Sequence, residues 1–167
     1  MAGAGKRPAL LTKRRLVWLA LLLVIVGGVT AYVLMRSRPT LIDQTLIAEA
    51  DFPVYTPQRP PSGYTLDASR TNVSSTAMTY TFTAKDSQNS IVVTVQPLPA
   101  NFDMQKLIGS GTVTTTTTSN GTLYDLSAGG KTQYALNTGD ALLFFTSTTA
   151  INAATINALV ADLARAN

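Results

Sequence analysis

Residues 16–35, "LVWLALLLVIVGGVTAYVLM", hold no charged side chain in twenty positions. No other feature restricts the chain so strongly. At about 1.5 Å rise per residue the run is about 30 Å long as a helix, the thickness of a bilayer's hydrocarbon core. A helix satisfies its own backbone hydrogen bonds, as that environment requires. Trp18 and Tyr32 lie near the two ends, where amphipathic aromatic rings settle at the interface. The competing reading is a cleaved signal peptide, whose apolar stretch is shorter and ends in small residues. Here the run continues to Met35 and stops at Arg36, and "VTA" at 29–31 is the one cleavage-like signal. The length predicts an uncleaved transmembrane anchor.

The charge of the chain divides at this segment. Residues 1–38 carry Lys6, Arg7, Lys13, Arg14, Arg15, Arg36 and Arg38 and no acid, whereas residues 39–167 carry six cations against nine acids. Lys13, Arg14 and Arg15 abut the apolar run and set its topology: N-terminus in the cytoplasm, C-terminal part outside. The basic tail of residues 1–15 is too short to fold alone and suits contact with lipid headgroups. The exterior part is mildly acidic, which argues against nucleic acid as a partner. The partners expected are the lipid bilayer and a protein of the cell envelope.

Residues 36–62 read as a juxtamembrane connection. "PTLIDQTLIAEA" at 39–50 suits a short helix, with Thr40 as cap, Asp43 completing a capping box, and Ile42 and Leu46 on one face. Pro53, Pro57, Pro60 and Pro61 then predict an extended, stiff spacer.

From residue 63 to 167 the pattern is that of a domain. "TAMTYTFTAK" alternates, with Met78, Tyr80, Phe82 and Ala84 inward and Thr79, Thr81 and Thr83 outward. Further strands are expected in "GYTLDASR", "IVVTVQP", "TLYDLSA", "KTQYALN" and "ALLFFTST", the last apolar on both faces as a central strand would be. "NFDMQKLIGS" changes period: Met104, Leu107 and Ile108 share a helical face, with Asn101 or Asp103 as cap and Gly109 or Gly111 as stop. Thr114 to Thr118 form an unbroken threonine run. It holds no proline and lies inside the β-patterned region, so residues 112–118 read as a strand near the sheet edge, its register set by the Asn120-Gly121 turn. At the end Ile156, Leu159, Val160 and Leu163 recur at helical spacing, with Asn152 as cap and Arg165 at the negative end of the dipole. The fold class expected is α+β: an antiparallel sheet of about six or seven strands, a C-terminal helix on one face, and the other face open.

The residue types exclude much chemistry. The chain has no cysteine and no histidine, hence no disulfide, no thiolate, and neither the commonest general base nor the commonest zinc ligand. Asp86, Asp103 and Asp140 fall at turns or helix starts, where aspartate belongs for backbone reasons. "DSQNS" at 86–90 is too poor in acids for a calcium loop. No nucleophile elbow, Walker loop or dinucleotide fingerprint occurs. A serine–lysine pair with Lys85, Lys106 or Lys131 remains conceivable on residue types alone. No catalytic, metal-binding or cofactor-binding residue is assigned, and no cofactor is expected. Asn72-Val-Ser and Asn120-Gly-Thr match the N-glycosylation triplet.

At "YTPQRPPSGYTL", followed by the alternating strand and "IVVTVQP", the sequence resembles a family of bacterial extracytoplasmic β-rich domains of unassigned function. Pro57, Pro60, Pro61, Gly63 and Tyr64 match that family's proline-punctuated entry, and the resemblance covers about residues 52–166. Such domains sit outside the membrane on anti-sigma-factor-like single-pass proteins, so the resemblance implies a sensory or interaction role without catalysis. The chain departs from that pattern in its short cytoplasmic tail, which leaves no room for an anti-sigma domain. A basic leader, apolar helix and β-rich head are also similar to the pilins, which makes a structural subunit of a pilus-like or envelope assembly the alternative. The chain lacks the glutamate near the start of the apolar helix that pilins usually show.

Overall fold

A computed structural model describes residues 41–109 and 113–167. Seven strands form one antiparallel sheet: β2 (Tyr64–Val73), β3 (Met78–Ala84), β4 (Ser90–Pro97), β5 (Thr114–Thr118), β6 (Gly121–Asp125), β7 (Thr132–Asn137) and β8 (Ala141–Ser147). Their order across the sheet is β2-β3-β4-β8-β7-β6-β5. The chain thus meanders from one edge to the centre through β4, passes to the opposite edge, and meanders back until β8 pairs with β4.

The period-two pattern decides which side chains are buried. Register pairs Met78 with Val95, Val95 with Leu143, Leu143 with Leu136, and Leu136 with Leu123. These five side chains make one row across the sheet, all buried. The parallel row Tyr80, Val93, Phe145, Tyr134 is buried too. The ring of Tyr80 meets that of Phe82 edge-on at 5.8 Å. A fully buried aliphatic or aromatic side chain contributes about 1.5–3 kcal/mol, so these rows are the main stabilising mass of the domain.

The C-terminal helix α3 (Ala153–Ala161) covers this face with Ile156, Leu159 and Val160. Asn152 caps it as expected, its side-chain oxygen accepting from the Ala154 N–H at 2.9 Å. The helix ends at Ala161, earlier than its apolar spacing suggested. Leu163 and Arg165 belong to a short strand, β9 (Leu163–Arg165), paired antiparallel with β1 (Tyr55–Pro57). Arg165 therefore meets Asp140 rather than a helix terminus.

Residues 41–62 of the connection pack as part of the same core. Ile42, Ile47, Ala50, Phe52 and Val54 are buried with the sheet residues. Helix α1 (Gln44–Ala48) is capped by Asp43, whose carboxylate accepts from the Thr45 N–H at 2.9 Å and the Thr45 hydroxyl at 2.8 Å. The cap is thus Asp43 itself, and the buried pair is Ile42 and Ile47, with Leu46 half-buried. The prolines that read as a spacer enter this packing: Pro57 and Pro61 are buried. Gly63, at φ 81°, completes a turn in which the Tyr64 N–H donates to the Pro61 carbonyl at 3.0 Å.

The second face of the sheet is only partly open. Helix α2 (Met104–Ile108) lies over the β6–β8 half, where Met104, Leu98, Phe102 and Ile108 pack against Ala135, Leu142, Phe144, Tyr124 and Leu126. The threonines of β3 show which side of that strand is polar. They carry no information about β7 and β8, which bring Ala135, Leu142 and Phe144 to the same side. Thr81 itself is 3% exposed. Asp103 caps α2, its carboxylate accepting from the Gln105 N–H at 2.9 Å, and Gly109 ends it at φ 67°. Leu107, expected on the inward face, is 46% exposed because the helix is a turn and a half long and buries only one side.

The charge-free run 16–35, expected to cross a membrane, and Lys13, Arg14 and Arg15, expected to set its topology, lie outside the described residues. Among the described residues no helix is long and apolar enough to cross a membrane.

Candidate functional site

The carboxylates come first, because in a chain without histidine or cysteine they are the main candidates for chemistry. Most are committed to local backbone. Asp43 and Asp103 cap helices. Asp67 accepts from the Ser69 hydroxyl at 2.6 Å and the Ser69 N–H at 3.1 Å, and Asp125 accepts from the Ser127 N–H at 2.9 Å. Asp162 binds the Arg59 N–H at 2.7 Å and its guanidinium at 3.2 Å.

Asp140 gathers the densest polar cluster. Its Oδ1 accepts from the Thr138 hydroxyl at 2.7 Å and the Tyr55 hydroxyl at 3.0 Å, and its Oδ2 accepts from Arg165 Nη1 at 2.8 Å. Burial works to raise the Asp140 pKa. The hydrogen bonds from Thr138 and Tyr55 and the charge of Arg165 outweigh it, and the carboxyl titrates below its ordinary value of 3.8. Tyr55 is moved up, first by burial and then by its carboxylate neighbour. The backbone carbonyl of Tyr55 in turn accepts from the buried Tyr80 hydroxyl at 3.0 Å, and burial raises the Tyr80 pKa strongly. A carboxylate whose two oxygens already hold three donors, one of them cationic, is a poor proton acceptor at neutral pH. This cluster ties β1, the β7–β8 turn and β9 together.

Asp125 and Tyr134 repeat the arrangement on a smaller scale. Burial and the nearby carboxylate raise Tyr134, while Asp125 is lowered because the bonds from Ser127 and Tyr134 outweigh its burial. Beside them lies a shallow depression of about 330 Å³ lined by Ser127 to Thr132, Tyr134 and residues at the start of α3. A second, of about 260 Å³, runs between Arg59–Ser62 and the Ala158–Asp162 end of α3. Both are open to solvent. Among the described residues no group of three or more acids stands close enough to hold a metal ion.

Asn120 has a structural task that the triplet pattern did not indicate. Its side-chain nitrogen donates to the carbonyl oxygens of Val160 at 2.8 Å and Leu163 at 3.2 Å. That nitrogen is the atom a glycan would occupy, so the folded chain withholds it. Asn72 is exposed on β2. The lysines named for a serine–lysine pair, Lys85 and Lys131, are exposed, as is Lys106.

Sequence reasoning placed Asp140 at a turn, where it is, and missed its long-range role. Tyr55 lies 85 residues from it and Arg165 lies 25 away, so no local spacing signals the cluster. Nothing among the described residues bears on Lys13, Arg14 and Arg15. Comparison of the chain with family models, curated proteins and solved structures finds no match in any of the three.

Proposed function

We propose that the chain is a single-pass membrane protein whose C-terminal α+β domain stands outside the membrane and acts by binding a protein partner of the cell envelope. The observation that carries this reading is the charge-free run 16–35 directly behind Lys13, Arg14 and Arg15. The entry motif Pro57, Pro60, Pro61, Gly63, Tyr64, similar to that of extracytoplasmic β-rich domains, supports the exterior placement. The domain's role is non-catalytic. The absence of histidine and cysteine supports this, as does the engagement of Asp43, Asp67, Asp103, Asp125, Asp140 and Asp162 in caps, turns and ion pairs.

The chain's lack of cysteine makes the test clean. Ser87→Cys in the exposed β3–β4 turn and Gly5→Cys in the basic tail are each labelled with a membrane-impermeant maleimide. Labelling of Ser87→Cys in intact cells or spheroplasts, with Gly5→Cys labelled only after permeabilisation, is the expected result. Release of the chain by alkaline carbonate, or the opposite labelling pattern, overturns the proposal.

A further inference from the structure

The two edges of the seven-stranded sheet are unlike each other. At the β2 edge the register slips between Asp67 and Asn72, and Asp67 pairs with Arg70 at 3.4 Å. A bulge and charge are the devices by which an edge strand avoids pairing with another chain. The β5 edge has neither. Thr114 to Thr118 pair one-to-one with β6 without a slip, carry no charge and no proline, and leave Thr114 to Thr117 exposed.

The backbone of β5 can be followed residue by residue. The pair Thr118 and Gly121 closes a two-residue turn, and alternate pairs of an antiparallel ladder exchange hydrogen bonds. Counting from that closing pair, Thr114, Thr116 and Thr118 turn their N–H and C=O groups toward β6. Thr115 and Thr117 turn theirs to the open edge, where no described strand lies.

We propose that β5 pairs with β5 of a second copy of this chain, antiparallel about a two-fold axis through Thr116. In that arrangement Thr115 exchanges both hydrogen bonds with Thr117 of the other copy, and Thr116 faces its own counterpart in a non-hydrogen-bonded pair. A run of one residue type laid antiparallel on itself sets threonine against threonine at every position, and such cross-strand pairs are favourable. The strand is uncharged, so the axis brings no like charges together. Five residues span about 17 Å, so the contact is far smaller than the ~800 Å² per partner of a standard interface. The dimer is therefore weak in dilute solution and forms where copies are concentrated, as on a membrane. In that respect alone the pairing draws on the anchor proposed above.

The test uses the full chain in its membrane, with an introduced cysteine as the chain's only thiol. Facing residues of a non-hydrogen-bonded pair have Cα atoms about 4.5 Å apart, within disulfide reach. Under a mild oxidant Thr116→Cys is expected to form a cross-linked dimer at least about tenfold faster than Ser87→Cys, which lies in the β3–β4 turn. Thr115→Cys and Thr117→Cys are expected to cross-link to each other when co-expressed, and slowly when alone. Adding Thr115→Pro, which removes an outward N–H, is expected to abolish the Thr116→Cys dimer while circular dichroism stays that of the parent. Equal rates for Thr116→Cys and Ser87→Cys, a dimer insensitive to Thr115→Pro in a folded chain, or capture of a different protein in place of a second copy would each overturn the proposal.

Discussion

The side-chain amide of Asn120 donates to the main-chain carbonyl of Val160 at 2.8 Å, joining the tip of the β5–β6 hairpin to the C-terminal turn of α3. The Leu163 carbonyl shares the same nitrogen at 3.2 Å. Val160 stands in the last turn of α3 and Leu163 begins β9, so one side chain, 40 positions from Val160 in sequence, holds the end of the helix and the start of the strand. The turn that presents Asn120 is fixed locally: the Thr118 hydroxyl donates to the Gly121 carbonyl at 2.8 Å and accepts from the Asn120 N–H at 3.2 Å. Asn120→Ala leaves two part-buried carbonyls without this donor and should cost about 1–3 kcal/mol. Asn120→Asp puts a carboxylate against the negative end of the helix dipole and should cost at least as much. Urea unfolding of the purified chain checks both.

Gly121 follows in the same hairpin at φ 132°, a conformation restricted in practice to glycine. A Cβ there would lie 2.0 Å from the Asn137 carbonyl oxygen, which belongs to the neighbouring strand and cannot yield cheaply. Gly129, at φ 59°, has nothing within 4 Å of the corresponding position. Gly121→Ala should therefore cost more than about 3 kcal/mol, and Gly129→Ala only about 1 kcal/mol of backbone strain. Thermal melts of the two variants should separate by several degrees or more, with Gly121→Ala the lower.

The Asp140 cluster gives the domain an acid-sensitive contact. The folded pKa of Asp140 lies below its unfolded value near 3.8, so the folded state binds fewer protons there. The stabilisation is present above the unfolded pKa and is lost as the pH falls through the folded one. Arg165 is half-exposed and Asp140 about one-third exposed, so solvent screening holds the ion pair below about 1 kcal/mol. Asp140→Asn should lower stability slightly at pH 7 and flatten its decline as the pH falls below about 4. Asp43, Asp67 and Asp125 are also lowered and should preserve the rest of that decline. Chemical denaturation of parent and variant across that pH range measures the difference.

Strands and their inward faces were legible where one residue type alternates with another. Met78, Tyr80 and Phe82 on β3 and Ile91, Val93 and Val95 on β4 were placed inward from pattern, and all six are fully buried. The doubly apolar segment at 141–147 was expected at the sheet centre and lies there, fourth of seven. The threonine run was expected near an edge, and β5 is the edge. Its turn differs in detail: Ser119 and Asn120 form the two-residue loop, and Gly121 begins the next strand. The pair Asn120-Gly121 marks the right hairpin, but the dipeptide alone does not say which of its residues closes the ladder.

Local pattern does not reveal the packing of the entry segment. Prolines and short apolar stretches at 39–62 look like a spacer, because the sheet residues and the C-terminal segment that bury or bond them lie far along the chain. Asn167 accepts from the Val54 N–H at 2.9 Å and donates to the Phe52 carbonyl at 3.0 Å, and the Ala166 N–H reaches the Val54 carbonyl at 2.8 Å. Arg165 completes the Asp140 cluster from the same terminal segment.

The sequence by itself determined the periods, and with them the strands of the seven-stranded sheet, the inward sides of β3 and β4 and the exclusion of thiol and imidazole chemistry. Those depend on neighbours within a few residues, where backbone geometry turns a pattern into a face. The tertiary structure alone decided the strand order, the closure of the domain by its two ends, and the contacts of Asn120 and Asp140. Each of these joins residues tens of positions apart, and the physical selection among such pairings lies in mutual burial and hydrogen bonding, which no stretch of sequence carries alone.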